Sequence, residues 1–163
     1  MKQPEVPEAG ADALSPVQGS AAPAGAVDGF KALYLRLNAE NCWSHLINGV
    51  YRRDMVFEDP FHRIEGIRGF KVYCAALYEN LLYCRFRFHD EWEREGDAVL
   101  NWTMEYAHPK LNRGRDVRVE GVSRIIFDEK VFYHRDYFDA GALLYEHLPI
   151  LGGVIRTVKR NMS

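Results

Sequence analysis

The stretch 131–139, VFYHRDYFD, holds the residues of this sequence best suited to chemistry. Apolar and polar residues alternate along it, which predicts a β-strand whose side chains point to two faces in turn. One face of this strand is predicted to carry Phe132, His134, Asp136 and Phe138. An ionised carboxylate among apolar neighbours is costly unless it is paired, protonated or hydrogen-bonded. Asp136 is therefore either the acceptor of a structural hydrogen bond or a reactive acid at the floor of a pocket.

A second carboxylate, Asp59, lies in the sequence VFEDPF at residues 56–61. Asp before Pro is typical of a turn in which the carboxylate caps nearby backbone N–H groups, and the alternative is a reactive partner for Asp136. His134 is either a satisfied core histidine or a proton relay beside Asp136. No metal is expected, because His134 and Asp136 lack a clear third ligand.

Apolar residues recur at helical spacing in the first half of the chain and at strand spacing in the second half. Apolar residues recur at helical intervals from Phe30, and Asp28 is the predicted N-cap. Helices are predicted at residues 29–39, 40–50 and 67–79, a short strand or extended turn at 51–60, and strands at 83–93, 97–108, 115–127 and 131–138. This order indicates an α+β fold, with a curved antiparallel sheet wrapped around the N-terminal helices and a pocket on its inner face. Gly121, inside a strand, predicts a bulge or bend that curves the sheet.

The pattern divides the chain into three parts. Residues 1–28 contain no aromatic residue and are rich in Ala, Pro, Gly and Ser, so they are predicted to be disordered. Residues 29–140 form the predicted α+β domain. Residues 141–163 form a predicted helical extension with a basic end, which covers the mouth of the barrel or a dimer face. A peripheral membrane contact is the alternative for this extension.

The composition argues against several functional classes. The formal net charge is −2, which gives no general attraction to nucleic acid or to an anionic membrane. No secretory leader is recognised, and no apolar run approaches the roughly 18 residues of a membrane span. Three cysteines without a Cys-x-x-Cys pair suit a reducing compartment, so a cytoplasmic location is expected. Phosphate-binding loops and nucleophile elbows are missing from the sequence, and no cofactor is expected.

Two motifs resemble the nuclear transport factor 2 superfamily, which includes ketosteroid isomerases, SnoaL-like polyketide cyclases and limonene-epoxide hydrolases. The first motif is VFEDPF followed by Ile64-x-Gly66, and the second is HRDYFD at residues 134–139. The similarity spans roughly residues 30–148. It implies a cone-shaped α+β barrel with one internal cavity, and it implies a homodimer formed through the sheet. The same scaffold hosts enzymes, carriers and interaction domains, so the resemblance specifies the fold better than the reaction.

The resemblance also implies roles for single residues. Asp59 matches the proton-shuttling aspartate of the isomerases, and Asp136 matches the acid/base aspartate of the cyclases. Tyr34 lies close to the position of the isomerase oxyanion tyrosine. Ser123 stands where the isomerases have their second oxyanion donor, an aspartic acid. Residues 101–104, NWTM, lack the Arg-x-Asp pair of the epoxide hydrolases, which argues against that mechanism.

The sequence thus predicts a small-molecule pocket protein that transfers protons without a cofactor on an apolar substrate: an isomerase, a cyclase or a hydrolase. Two carboxylates in one cavity would supply an acid and a base. The predicted catalytic residues are Asp136, Asp59 and His134, and the predicted substrate-binding residues are Tyr34, Ser123, Trp102, Phe132, Phe138 and Trp43. The alternative is a module of the same fold that binds a ligand or dimerises without catalysis.

Overall fold

The computed structural model describes residues 25–143. In this part of the chain the helices are α1 (Ala26–Tyr34), α2 (Leu46–Val50), α3 (Ile67–Tyr78) and α4 (Ala140–Leu143). The strands are β1 (Tyr51–Glu58), β2 (Arg63–Glu65), β3 (Tyr83–Arg94), β4 (Asp97–Ala107), β5 (Val117–Phe127) and β6 (Val131–Phe138). Most of the predicted disordered segment and most of the predicted C-terminal extension lie outside the described residues.

The six strands form one curved sheet in the order β2-β1-β6-β5-β4-β3, which confirms the predicted α+β class. The sheet is not closed into a barrel. Four of its five neighbouring pairs are antiparallel, as expected for strands joined by short turns. The β1–β6 pair is parallel, which the sequence analysis did not predict.

The helices pack their apolar side on this sheet. In α1 the buried side chains are Val27, Phe30 and Leu33, and in α3 they include Phe70 and Cys74. These residues join Met55, Phe57, Leu100 and Ile125 of the sheet in one core cluster. None of the helices within residues 25–143 has the length and apolar character to cross a membrane.

The first helical region differs from its prediction. Helix α1 begins at Ala26, so Asp28 lies in its first turn instead of at the N-cap, and it ends at Tyr34. Further on, the Asn38 side chain accepts hydrogen bonds from the backbone N–H groups of Glu40 and Asn41, at 2.9 and 3.1 Å. Such local bonds compete with helical ones, so residues 40–45 form turns and α2 starts only at Leu46.

A β-bulge in β6 changes which side chains face the core. Ile126 pairs with Tyr133 but Phe127 pairs with Val131, so Phe132 is the extra residue. The extra residue shifts the alternation by one, and Val131 and His134 are both fully buried. The Phe132 ring instead lies under the Arg52 guanidinium, whose carbon is 5.1 Å from the ring centre. The prediction that Phe132 shares a face with His134 is therefore wrong.

Gly121 does not form a bulge. It pairs directly with Trp102, and the β4–β5 register has no shift along its length. A Cβ atom at residue 121 would lie 2.2 Å from Cη2 of Trp102, so the glycine makes room for the indole ring. The glycine thus allows the largest side chain type to lie flat on the inner face of the sheet.

Glu58 of β1 links the first three strands in the sheet order, β2, β1 and β6. Its carboxylate accepts hydrogen bonds from Arg63 of β2, and from the Tyr133 hydroxyl at 2.7 Å and Arg135 at 2.9 Å on β6. The Tyr133 hydrogen bond is the main reason why the pKa of Glu58 lies below its usual value. Arg135 is thus on the outer face of β6, as strand alternation predicted.

Candidate functional site

An aromatic cavity lies between the helices and the inner face of the sheet. Its volume is about 50 Å³, and its walls come from α1, α3 and strands β1, β3, β4 and β6. The lining includes Tyr34, Phe57, Phe70, Phe86, Trp102 and Phe138. Among the described residues that line it, Asp136 alone carries a carboxylate. We refer to this space as the aromatic cavity.

Asp136 is held through one of its two carboxylate oxygens. Its Oδ1 atom lies 2.5 Å from Ser123 Oγ and 2.7 Å from His134 Nε2. Within residues 25–143 no hydrogen bond engages Oδ2. The Asp136 side chain is 17% exposed, whereas the His134 side chain is fully buried. The predicted strand face is thus correct for these two residues, and Asp136 retains an oxygen that can accept a proton.

Trp102 determines the direction of the hydrogen bonds around Ser123. An indole N–H can only donate, so Trp102 Nε1 donates to Ser123 Oγ over 2.8 Å. The Ser123 hydroxyl then donates its own hydrogen to Asp136 Oδ1. Ser123 lines no part of the aromatic cavity, and its hydrogen is already used. Ser123 therefore positions Asp136 and is unsuited to the oxyanion role that the resemblance implied.

Asp136 fixes the tautomer of His134, and Tyr51 supplies the hydrogen bond to the other ring nitrogen. A carboxylate only accepts, so His134 Nε2 carries the hydrogen that is shared with Asp136, and Nδ1 of the neutral ring accepts. The Tyr51 hydroxyl lies 2.9 Å from Nδ1 and donates to it, and the Tyr34 hydroxyl lies 3.2 Å from that of Tyr51. A directed chain therefore runs from Tyr34 through Tyr51 and His134 to Asp136.

Both tyrosines keep their protons. Burial raises the pKa of Tyr34 and of Tyr51 well above the usual value for a phenol. Tyr34 lines the aromatic cavity, so its neutral hydroxyl can turn toward a ligand there. Tyr51 is 1% exposed and does not line the cavity, so it acts only through its neighbours.

Asp59 lies at a separate position and forms a capped turn. Its carboxylate accepts the backbone N–H groups of Phe61 at 2.7 Å and His62 at 2.6 Å. It also accepts the Tyr73 hydroxyl at 2.8 Å and contacts the His62 ring at 3.0 Å. Asp59 lines a surface depression beside β2, not the aromatic cavity. The two carboxylates thus do not share one cavity, and the turn interpretation describes Asp59.

Tyr73 is the link between Asp59 and the aromatic cavity, which it lines. Burial, followed by the charge of Asp59, raises the pKa of Tyr73 far above its usual value, so this hydroxyl also stays protonated. Because its proton is directed to Asp59, Tyr73 presents its oxygen to the cavity as an acceptor.

The structure brings together some of the predicted aromatic residues and not others. Trp102 and Phe138 line the aromatic cavity, with ring centres 6.4 Å apart. Trp43 is 59% exposed and Phe132 stacks under Arg52, so neither lines the cavity. Trp43 was placed wrongly because it belongs to the turns that replace the predicted helix.

An outer depression of about 200 Å³ adjoins the aromatic cavity. Leu77 of α3 and Met104 of β4 line both spaces. The remaining lining of the outer depression is Ala76, Asn80, Leu81, Tyr106, His108 and Leu111. Binding sites for drug-sized molecules measure roughly 300–1,000 Å³, so the aromatic cavity alone is small for a substrate.

Sequence reasoning missed Tyr51 and Tyr73. Tyr51 follows the same odd-numbered alternation as Met55 and Phe57, both buried, and that pattern could have placed it on the inner face. Tyr73 lies in the helix predicted at residues 67–79 and packs against the core cluster, so its ring is typical of a core side chain and its hydroxyl gives no local signal. Across residues 25–143, no group of three or more His, Cys, Asp or Glu side chains is arranged to hold a metal ion.

A sequence model described as the SnoaL-like domain matches residues 30–134. The chain also shares its fold with solved structures of low sequence identity. One is described as a SnoaL-like polyketide cyclase from Jannaschia sp. CCS1, with a TM-score of 0.65 and 16% identity, covering 77% of this chain and 94% of that one. No curated protein matches the sequence.

Two further structures extend the comparison. An LEH-like epoxide hydrolase of M. tuberculosis has a TM-score of 0.61 and 18% identity, covering 81% of this chain and 96% of its own. A Catenulispora acidiphila protein with a ketosteroid isomerase-like fold, solved with trimethylamine, has a TM-score of 0.62 and 10% identity, covering 73% and 88%. At these identities the likeness establishes the fold and leaves the reaction open.

Proposed function

The chain belongs to the SnoaL-like domain family, and on this basis we propose that it binds an apolar small molecule and transfers protons on it without a cofactor. The observation that carries the proposal is the state of Asp136. One carboxylate oxygen is fixed by Ser123 and His134, no hydrogen bond within residues 25–143 engages the other, and the residue lines the aromatic cavity. A carboxylate held this way is oriented and still able to accept a proton.

In the proposed reaction Asp136 Oδ2 removes a proton from a carbon next to a substrate carbonyl. The electron pair of the C–H bond moves toward the carbonyl oxygen and forms an enolate. The Asp136 carboxyl then returns the proton to another carbon, or the enolate attacks a second carbonyl. Isomerisation and aldol-type cyclisation share this first step, and a hydrolase would use the same base to activate water.

The remaining groups have distinct proposed roles. Tyr34 lines the cavity with a protonated hydroxyl, so it is the proposed donor to the enolate oxygen. Its hydrogen, directed to Tyr51 in the structure, would turn to the substrate, which Ser123 cannot do because it does not line the cavity. His134 is fully buried and does not line the cavity, so it is proposed as a positioning residue that holds Asp136. Asp59 is proposed to fix Tyr73 and the turn, since its carboxylate is already bound by several donors.

The test is deuterium exchange at the α-carbon of a ketone. 4-Phenyl-2-butanone in D₂O, followed by NMR, reports proton removal whatever the later fate of the enolate. The wild type should accelerate exchange above the buffer rate, and Asp136→Asn should lower the enzymatic rate roughly 10²- to 10⁴-fold while ketone binding survives. Asp90→Asn, on the β3 strand away from the cavity, is the control and should exchange like the wild type.

The second candidate is a ligand-binding module without catalysis. The small volume of the aromatic cavity and the use of the Ser123 hydrogen on Asp136 favour it. In this case the ketone binds to both the wild type and Asp136→Asn, and neither accelerates exchange. That result would remove the enzymatic proposal.

We also propose that the protein forms a homodimer through the outer face of its sheet. This face has a depression of about 470 Å³ with polar side chains such as Asn101 and Glu120, and Tyr137 beside it is 49% exposed. Light scattering should give twice the mass of the 163-residue chain. Tyr137→Glu should shift the protein toward the monomer, whereas a monomeric wild type at micromolar concentration contradicts the proposal.

A further inference from the structure

The outer depression lies beside the aromatic cavity and differs from it chemically. Leu77 and Met104 line both spaces, which places the two side by side. Leu77 is 40% exposed, so this shared wall lies near the surface. The aromatic cavity, at about 50 Å³, has room for only part of a molecule, whereas the depression measures about 200 Å³.

His108 gives the outer depression a hydrogen-bond donor. Its Nδ1 atom accepts the backbone N–H of Lys110 at 3.0 Å. A neutral imidazole that accepts at Nδ1 carries its hydrogen on Nε2. No residue of the described part of the chain accepts from this Nε2–H group. Asn80, on the same lining, is exposed and adds an amide.

We propose that the outer depression is the subsite for the far end of the substrate, and that this end carries an oxygen acceptor. The substrate class is then an elongated, mostly apolar molecule with a carbonyl or similar oxygen group that accepts from His108 Nε2. The assignment of the reacting end to Asp136 rests on the proposed function, whereas recognition by His108 is a statement about binding. The two can therefore fail separately.

The test compares two probes of one skeleton, 4-(4-methoxyphenyl)-2-butanone and 4-(4-ethylphenyl)-2-butanone, which share the reacting ketone and differ by one ether oxygen at the far end. Affinities are measured by NMR titration of the full chain. The wild type should bind the methoxy probe more tightly, and His108→Phe, which keeps an aromatic ring without the donor, should weaken binding of the methoxy probe roughly threefold to tenfold. The ethyl probe should bind equally to both proteins. His45→Phe is the control, because His45 is exposed and lines neither space.

A second variant tests the location independently of the hydrogen bond. Ala76 is exposed and lines only the outer depression, so Ala76→Trp should fill it and weaken both probes at least about tenfold. Val72→Trp, on the same helix at a position 57% exposed, should bind like the wild type. Equal affinities of the wild type for the methoxy and ethyl probes, unchanged binding of the methoxy probe in His108→Phe, or unchanged binding of both probes in Ala76→Trp would overturn the inference. Loss of α-carbon exchange in Asp136→Asn without a change in affinity leaves the inference intact and tests the reaction alone.

Discussion

Tyr51 donates its hydroxyl hydrogen to His134 Nδ1 across 2.9 Å, and the two rings stack with their planes 24° apart. Both residues are buried. Tyr51 begins β1 and His134 lies in β6, so the contact spans the parallel pair of strands. It supplies the donor for the buried Nδ1 atom of the imidazole that holds Asp136.

Tyr51→Phe should destabilise the fold and remove the hydrogen-bond donor to His134 Nδ1. Without the hydroxyl, the buried Nδ1 atom has only Tyr34 nearby, at 3.5 Å, and an unsatisfied buried acceptor costs about 1–3 kcal/mol. Urea unfolding gives the change in stability, and ¹⁵N NMR of the imidazole reports the loss of the hydrogen bond at Nδ1. Tyr137→Phe is the matched control, because Tyr137 is 49% exposed. Unchanged stability together with unchanged imidazole signals would contradict this role of Tyr51.

Gly121→Ala should be far more destabilising than its single methyl group suggests. The new Cβ would lie 2.2 Å from the Trp102 indole, so the ring or the strand must move, at a cost of about 1–3 kcal/mol or more. Gly49→Ala is the matched control, since no atom lies within 4 Å of its Cβ position, and a helical glycine replaced by alanine should be neutral or stabilising. Thermal unfolding measures both. Adding Trp102→Phe should restore part of the stability that Gly121→Ala loses. If it restores none, contact with the Trp102 ring is not the cause of the loss.

Asp59→Ala should cost about 1–3 kcal/mol, because the backbone N–H groups of Phe61 and His62 and the Tyr73 hydroxyl lose their acceptor. Asp54→Ala is the control: its side chain is 66% exposed and pairs with Arg52 at the surface, where ion pairs contribute little. Urea unfolding measures stability, and the α-carbon exchange assay measures activity. Exchange should fall much less in Asp59→Asn than in Asp136→Asn. If both variants are folded and their exchange rates fall equally, Asp59 is the reactive partner that the sequence suggested.

The three cysteines should resist thiol reagents in the folded protein at pH 8. Burial raises the pKa of Cys42 and Cys74, and it raises that of Cys84 to about 12. The thiolate is the reactive form, and at pH 8 a thiol with that pKa is ionised in only about one molecule in 10⁴. Labelling with DTNB should therefore follow unfolding, with three thiols released per chain.

An added cysteine provides the control for this labelling. Leu82→Cys, at a position 65% exposed, should react at once in the folded state. Fast reaction of the native thiols at pH 8 would show that the core around α3 opens without global unfolding.

Local periodicity predicted much of the fold. Helix α3, predicted at 67–79, spans Ile67–Tyr78, and the last strand spans residues 131–138 as predicted. The inward orientation of His134 and Asp136 followed from alternation beyond the bulge. Such patterns reflect burial of one face, and they are strongest where that face packs on a continuous core.

The failures have non-local or side-chain causes. The Phe132 bulge depends on how β6 pairs with β5, and alternation within one strand cannot show it. The turns after α1 depend on hydrogen bonds of the Asn38 side chain, which override helical propensity. Tyr51 was missed as a site residue because its partner His134 is 83 residues away in sequence.

The parallel pairing of β1 with β6 has a consequence for how the protein folds. Strands β3 to β6 form a meander of neighbours in sequence, whereas β1 must find β6 across more than half of the domain. Contacts between distant segments form slowly, because the loop between them must be closed before any contact is gained. We expect the meander to form early and β1 to dock late. The Tyr51–His134 contact would then be made in the last step, so an incompletely folded chain would hold Asp136 without its positioned histidine.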